Sequence, residues 1–108
     1  MQREDGGWAQ LDQLPSDAYA TAVALYALGQ AGMPAQDSAA RRAVEYLLRT
    51  QQPDGSWHVS SRAPKLQPYF QSGFPYDHDQ WISVAATGWA AAALSETLPP
   101  VRPVVAAR

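Results

Sequence analysis

The chain writes one turn twice. Gln2, Asp5, Gly6 and Trp8 of "QREDGGW" return as Gln51, Asp54, Gly55 and Trp57 of "QQPDGSW", each 49 places later. A second match follows at another interval: "TAVALYAL" from Thr21 aligns with "TGWAAAAL" from Thr87, 66 places on. The second copy of the unit therefore holds 17 more residues than the first. Internal periods of this length mark stacked helical hairpins, each burying its apolar face only against its neighbours. In Gln-x-x-Asp-Gly-x-Trp, glycine accepts the positive φ of a tight turn, and aspartate can bond the backbone two residues on. The glutamine amide can meet loose helix-end groups while its flat face lies against the indole. The turns at 2–8 and 51–57 are read as staples between hairpins, with a ligand-binding surface of tryptophans as the functional alternative.

Three helices are predicted. The first runs from about Asp17 to Gln30, capped by Ser16 or Asp17 and closed by Gly32 and Pro34. Its interior is apolar nearly all round, so it calls for protein on every side. The second, Ser38 to Thr50, starts at Asp37 or Ser38 and stops before Pro53; Ala40, Ala43, Val44, Leu47 and Leu48 fall at helical intervals, while Arg41, Glu45 and Arg49 share another face. The third, Gln80 to Ser95, is again apolar nearly throughout, with Gly88 as its weak point. The 17 extra residues of the second copy fall within an insertion loop at 58–78, rich in proline and aromatics and expected to be ordered. Residues 99–108, "PPVRPVVAAR", are expected to be an extended tail.

The insertion carries the candidate chemistry. Asp77, His78 and Asp79 crowd two carboxylates and an imidazole before the third helix. Neighbouring carboxylates can split their pKa values so that one acts as an acid. The simpler reading is that they cap the helix and bond the loop locally, with Asp79 at the N-cap. His58 and His78 bracket the insertion, but no helix carries two metal-type ligands at i and i+4, so no metal site is assigned. Tyr69, Phe70, Phe74, Tyr76 and Trp81 are candidate apolar ligand contacts, or simply the residues that pack the loop.

Composition removes other classes. A net charge of −2 with scattered basic residues offers no field for nucleic acid. Cysteine is absent, so disulfides and thiolate chemistry are excluded while the compartment stays open. "MQREDGG" lacks the apolar run of a signal peptide, and no apolar stretch reaches the roughly 20 residues of a membrane span, so the chain is expected to be soluble. No nucleophile elbow or glycine-rich phosphate loop appears, and no cofactor is expected.

With these residues in view, "AVEYLLRTQQPDGSW" resembles the QW repeat of squalene–hopene and oxidosqualene cyclases, and "QREDGGW" resembles the end of another copy. "SDAYATAVALYAL" is similar to the inner helix that follows in those cyclases and in protein prenyltransferase β subunits. The resemblance implies an all-α fold: an α/α toroid fragment over 1–98, built of helical hairpin repeats with one long aromatic and proline-rich loop. It does not bring an active site. Aligned with the Asp-x-Asp-Asp-Thr-Ala motif of class II cyclases, Asp17, Tyr19 and Ala20 stand opposite the three aspartates, and Ser83, Ala85 and Ala86 do so in the second copy. The zinc site of the prenyltransferases needs a cysteine, as do the thioester domains that share the toroid.

The leading expectation is thus a repeat segment that helps wall an apolar, isoprenoid-type cavity, with any acid residue upstream. A class II cyclase-like isomerase is the parent activity that the resemblance favours. The alternative is a non-catalytic binding or interaction module; an independent small enzyme around Asp77 to Asp79 is a third reading. The chain holds about one and a half hairpins, and Met1 directly precedes the Gln of a repeat, so it reads as the C-terminal portion of a longer protein or a product that must associate. Its implied partners are the remaining repeats or another copy of the chain, with an apolar isoprenoid-like ligand.

Overall fold

Asp17 starts the first helix with its own side chain, accepting from the Ala20 amide at 2.7 Å. The computed structural model describes residues 1–61 and 73–98, in which α1 spans Ala18–Gln30, α2 Ser38–Thr50 and α3 Gln80–Thr97. Asp37 opens α2 in the same way, through the Ala39 amide at 3.0 Å. Gly32 takes φ +98 just past α1 and turns the chain away from the helical path. Helix α3 runs two residues further than its sequence suggests, with Thr97 Oγ1 donating back to the Leu94 carbonyl. Residues 99–108 and 62–72, with Tyr69 and Phe70, lie outside the described residues.

Helices α1 and α3 pack along each other. Each turns a stripe at i, i+4 and i+7 into the core: Ala18, Ala22 and Leu25 from one, Ala86, Ala90 and Ala93 from the other. Small residues let the two backbones approach closely. Tyr26 meets Trp89, and four residues on Gln30 donates to Glu96 at 2.6 Å, so the two helices ascend in the same direction. The 66-residue interval of the sequence is thus the spacing of this last contact.

Helix α2 packs against α1 with Ala40, Ala43, Tyr46 and Leu47 buried, while Arg41, Glu45 and Arg49 are exposed. One position departs from the sequence expectation. Leu48 is 57% exposed, and Tyr46 takes the place in the core. The Tyr46 ring fits beside Gly7, where an added Cβ would stand 3.1 Å from Cε2. Burial, with Asp5 and Asp17 nearby, pushes the Tyr46 phenol from 10.0 up to about 12. Because the folded value is raised, the unfolded chain loses this proton first. The phenol's contribution to stability is therefore whole below pH 10 and lost as pH rises from 10 to about 12. A phenolate-absorbance titration should show one late-ionising tyrosine that disappears in Tyr46→Phe.

The two turns repeat bond for bond. Gln2 Nε2 donates to the Gly6 carbonyl at 2.9 Å, and Gln51 Nε2 to that of Gly55 at 2.8 Å. Asp5 and Asp54 accept from the amide two residues on, both at 2.9 Å. Hydrogen bonds from Ser56 hold the exposed Asp54 carboxyl below its ordinary range. Gly6 and Gly55 have φ +89 and +91. The Trp8 amide donates to Thr21 Oγ1 at 2.9 Å, and the Trp57 amide to Thr87 Oγ1 at 3.0 Å. Each glutamine closes its own turn; Gln2 also donates to the Ala39 carbonyl at 2.9 Å, which lies in the first turn of α2 rather than at a free helix end.

What differs is docking. The first turn lies against α2: Arg42 Nη2 donates to the carbonyls of Arg3 and Glu4 at 2.8 and 2.9 Å, and Arg49 Nη2 to that of Asp5 at 3.0 Å. Gly6 is buried there. In the second turn Gln51, Gln52, Pro53, Asp54 and Gly55 are all exposed, although Trp57 is 3% exposed and its Nε1 donates to the Leu47 carbonyl at 2.8 Å.

Candidate functional site

Two places hold the residues that the sequence singled out. The first is the base of the insertion. Asp79 does occupy the N-cap position of α3, yet its side chain makes no capping bond. Its carboxylate instead reaches across the loop, accepting from the Ser61 amide at 2.8 Å and pairing with His58 Nε2 at 2.8 Å. Of the two roles expected of this cluster, capping by the Asp79 side chain is absent and loop bonding is present, as a clasp between the two ends of the insertion.

Around this clasp the contacts continue inward. The His58 ring stacks on Tyr76, with centroids 4.4 Å apart and planes 5° from parallel. Tyr76 Oη and Ser56 Oγ share a hydrogen bond of 2.5 Å, and Ser56 Oγ donates to Asp54 at 2.6 Å. Phe74 meets Tyr76 edge-on at 6.2 Å. Backbone strain is concentrated here, because Tyr76 and Asp77 take φ +84 and +46 in succession. Asp77, His78 and Asp79 form a short 3-10 turn, and the Asp77 carbonyl accepts from Gln80 Nε2 at 2.9 Å. Among the described residues, no three His, Asp or Glu side chains gather at metal-holding distance.

The second place is the outer side of α3. Trp81, Val84 and Trp89 are exposed at 61, 39 and 37%, and Gly88 and Ala92 lie beside them at helical spacing. Tyr26 of α1 meets the Trp89 ring at 5.3 Å and 73°, in edge-to-face geometry. Tyr26, Ala85, Gly88, Trp89 and Ala92 line an open hollow of about 380 Å³. Its chemistry is apolar and aromatic, without a titrating acid. Sequence reasoning placed Trp81 among ligand contacts but passed over Tyr26 and Trp89. No local signal paired them, because the contact depends on how α1 and α3 run together.

The positions aligned with the cyclase aspartates are engaged otherwise. Asp17 accepts from Ala20 N and from Gln10 Nε2 at 2.9 Å. Ser83 is buried and exchanges hydrogen bonds with the Val59 backbone at 2.9 and 3.2 Å. Among the described residues, no helix is long and apolar enough to cross a membrane.

Over 58 residues the chain is 48% identical to the squalene–hopene cyclase of Alicyclobacillus acidocaldarius subsp. acidocaldarius. The match takes in 53% of this chain, and the chain spans 8% of that cyclase's length. It supports a relation to that family over this stretch. No family model matches the chain, and no solved structure matches it significantly.

Proposed function

We propose that this chain is a repeat segment of a squalene-cyclase-like α/α toroid, and that the outer side of α3, with Tyr26, helps to wall an apolar cavity of isoprenoid type. The observation that carries the reading is the exposed Trp81–Val84–Trp89 stripe on a helix whose opposite stripe is core. Apolar surface left in water is unfavourable by about 25 cal/mol for each square ångström, so this side calls for a cover. An isoprenoid chain supplies one, and the faces of Trp81, Trp89 and Tyr26 suit a hydrocarbon that passes through cationic states. The similarity to a squalene–hopene cyclase and the two superimposable turns support the segment's place in such a ring. Any proton-donating acid belongs to other repeats, because Asp17 and Ser83 are committed to local bonds.

The test is titration of the chain with farnesol, read by tryptophan fluorescence. Saturable binding with a blue shift is expected, weakened about tenfold or more in the double variant Tyr26→Ala, Trp89→Ala. Farnesol that produces no saturable change removes the cavity reading. The exposed second turn favours one other role, an interaction module that docks a helix as α2 docks on the first turn. Concentration-dependent self-association without farnesol binding would select it.

A further inference from the structure

A third place borders the clasp, through His58 and Ser61, and lies apart from the hollow on α3. Between the start of α1, the end of α2 and the stretch after Trp57 lies an open cavity of about 540 Å³. That volume is in the range of small-molecule sites. It shares no lining residue with the hollow on α3. Leu14, Pro15, Ala18 and Val59 give it apolar walls, and Tyr46 and Gln52 give it polar ones.

Tyr46 sets its chemistry. The residue is 7% exposed, and among the described residues its hydroxyl makes no hydrogen bond. A phenol sealed in the core without a partner would be costly. Yet among the described residues no fully buried side-chain polar atom lacks a partner, so this hydroxyl is reached from the cavity it lines. It is a donor that an acceptor in the cavity can meet, and it keeps its proton throughout the physiological range.

The charged groups nearby already hold hydrogen bonds to neutral partners. Asp17 accepts from Ala20 N and Gln10, and Asp5 accepts from Gly7 N and Ser16 Oγ. Arg49 donates to the Asp5 carbonyl, and its guanidinium lies 5.6 Å from the centre of the Tyr46 ring. An anion there meets the Asp17 carboxylate and a cation meets the Arg49 guanidinium, both of which line the cavity, so neither sign gains a net attraction to offset its loss of water. A neutral ligand meets neither penalty.

From this arrangement we infer that the cavity at the α1–α2 junction binds a neutral small molecule that carries a carbonyl or similar oxygen acceptor on an apolar body, with the Tyr46 hydroxyl as its donor. Cyclohexyl methyl ketone, cyclohexanecarboxylate and cyclohexanecarboxamidinium are three probes of similar shape and different charge. Each is titrated into the full 108-residue chain and followed by amide NMR shifts at Arg49 to Gln52 and at Val59 and Ser60. The ketone is expected to shift these amides saturably and to bind at least threefold more tightly than either ion. Tyr46→Phe keeps the ring and should weaken the ketone about fivefold, the usual worth of one neutral hydrogen bond. Leu14→Trp, which fills the cavity from a loop, should abolish binding and guards against an unfolded Tyr46 variant. Absence of shifts for all three probes, equal ketone affinity in Tyr46→Phe, or tightest binding by either ion would overturn the inference. The Tyr26→Ala, Trp89→Ala variant of the farnesol test leaves the lining of this cavity intact, so the two proposals fail independently.

Discussion

Gly6→Ala is expected to destabilise the fold by about 3–4 kcal/mol, while Gly55→Ala at the matching position costs only about 1 kcal/mol, both measured by chemical denaturation. Each glycine has a positive φ, near +90, which an L-residue adopts at about 1–2 kcal/mol. At Gly6 the new methyl would also run into the Arg42 carbonyl, whose carbon lies 2.9 Å from the added Cβ and belongs to helix backbone that cannot step aside. Overpacking of that kind adds about 1–3 kcal/mol. At Gly55 the nearest atom is Gln51 Nε2, 3.9 Å away. The two variants therefore share the conformational cost and differ by the docking of the first turn on α2. Equal losses at the two positions would show that the first turn is not seated there.

The second large effect belongs to Trp57. Trp57→Ala should cost about 3–5 kcal/mol, a major fraction of the roughly 5–15 kcal/mol available to a domain of this size. The indole is 3% exposed and its Nε1 holds the Leu47 carbonyl near the end of α2. Trp57→Phe separates the two contributions: it keeps most of the apolar volume, loses the hydrogen bond, and should cost about 1–2 kcal/mol. Trp8→Ala, at a half-buried position, should cost clearly less than Trp57→Ala in the same thermal melt.

Local chemistry made the helices legible. Asp17 and Asp37 accept the first free amides and Gly32 turns the chain out, so each of these signals acts within three residues of its own position. The repeat was legible for the same reason, because the bonds from Gln to Gly and from Asp to the amide two residues on are internal to each turn. Misreadings begin where a residue's partner is distant in sequence. Asp79 looked like a cap because capping is a local role, yet its carboxylate bonds His58 and Ser61. Helical spacing allowed either Tyr46 or Leu48 into the core of α2. Gly7 on the first turn decided it, since only a residue without a side chain leaves room for the ring. The Trp89–Tyr26 contact needed the parallel pairing of α1 and α3, which no short window of sequence contains.

The clasp at the insertion has a practical corollary. His58 and Ser61 on one strand of chain grip Asp79 on the other, and beyond this grip the α1–α3 pairing continues undisturbed to Gln30 and Glu96. A loop whose two roots are fastened together transmits little of its length to the scaffold that bears it. The two roots are held by one carboxylate, and Asp79→Ala, which removes both bonds at once, should release them together while the far ends of α1 and α3 stay joined.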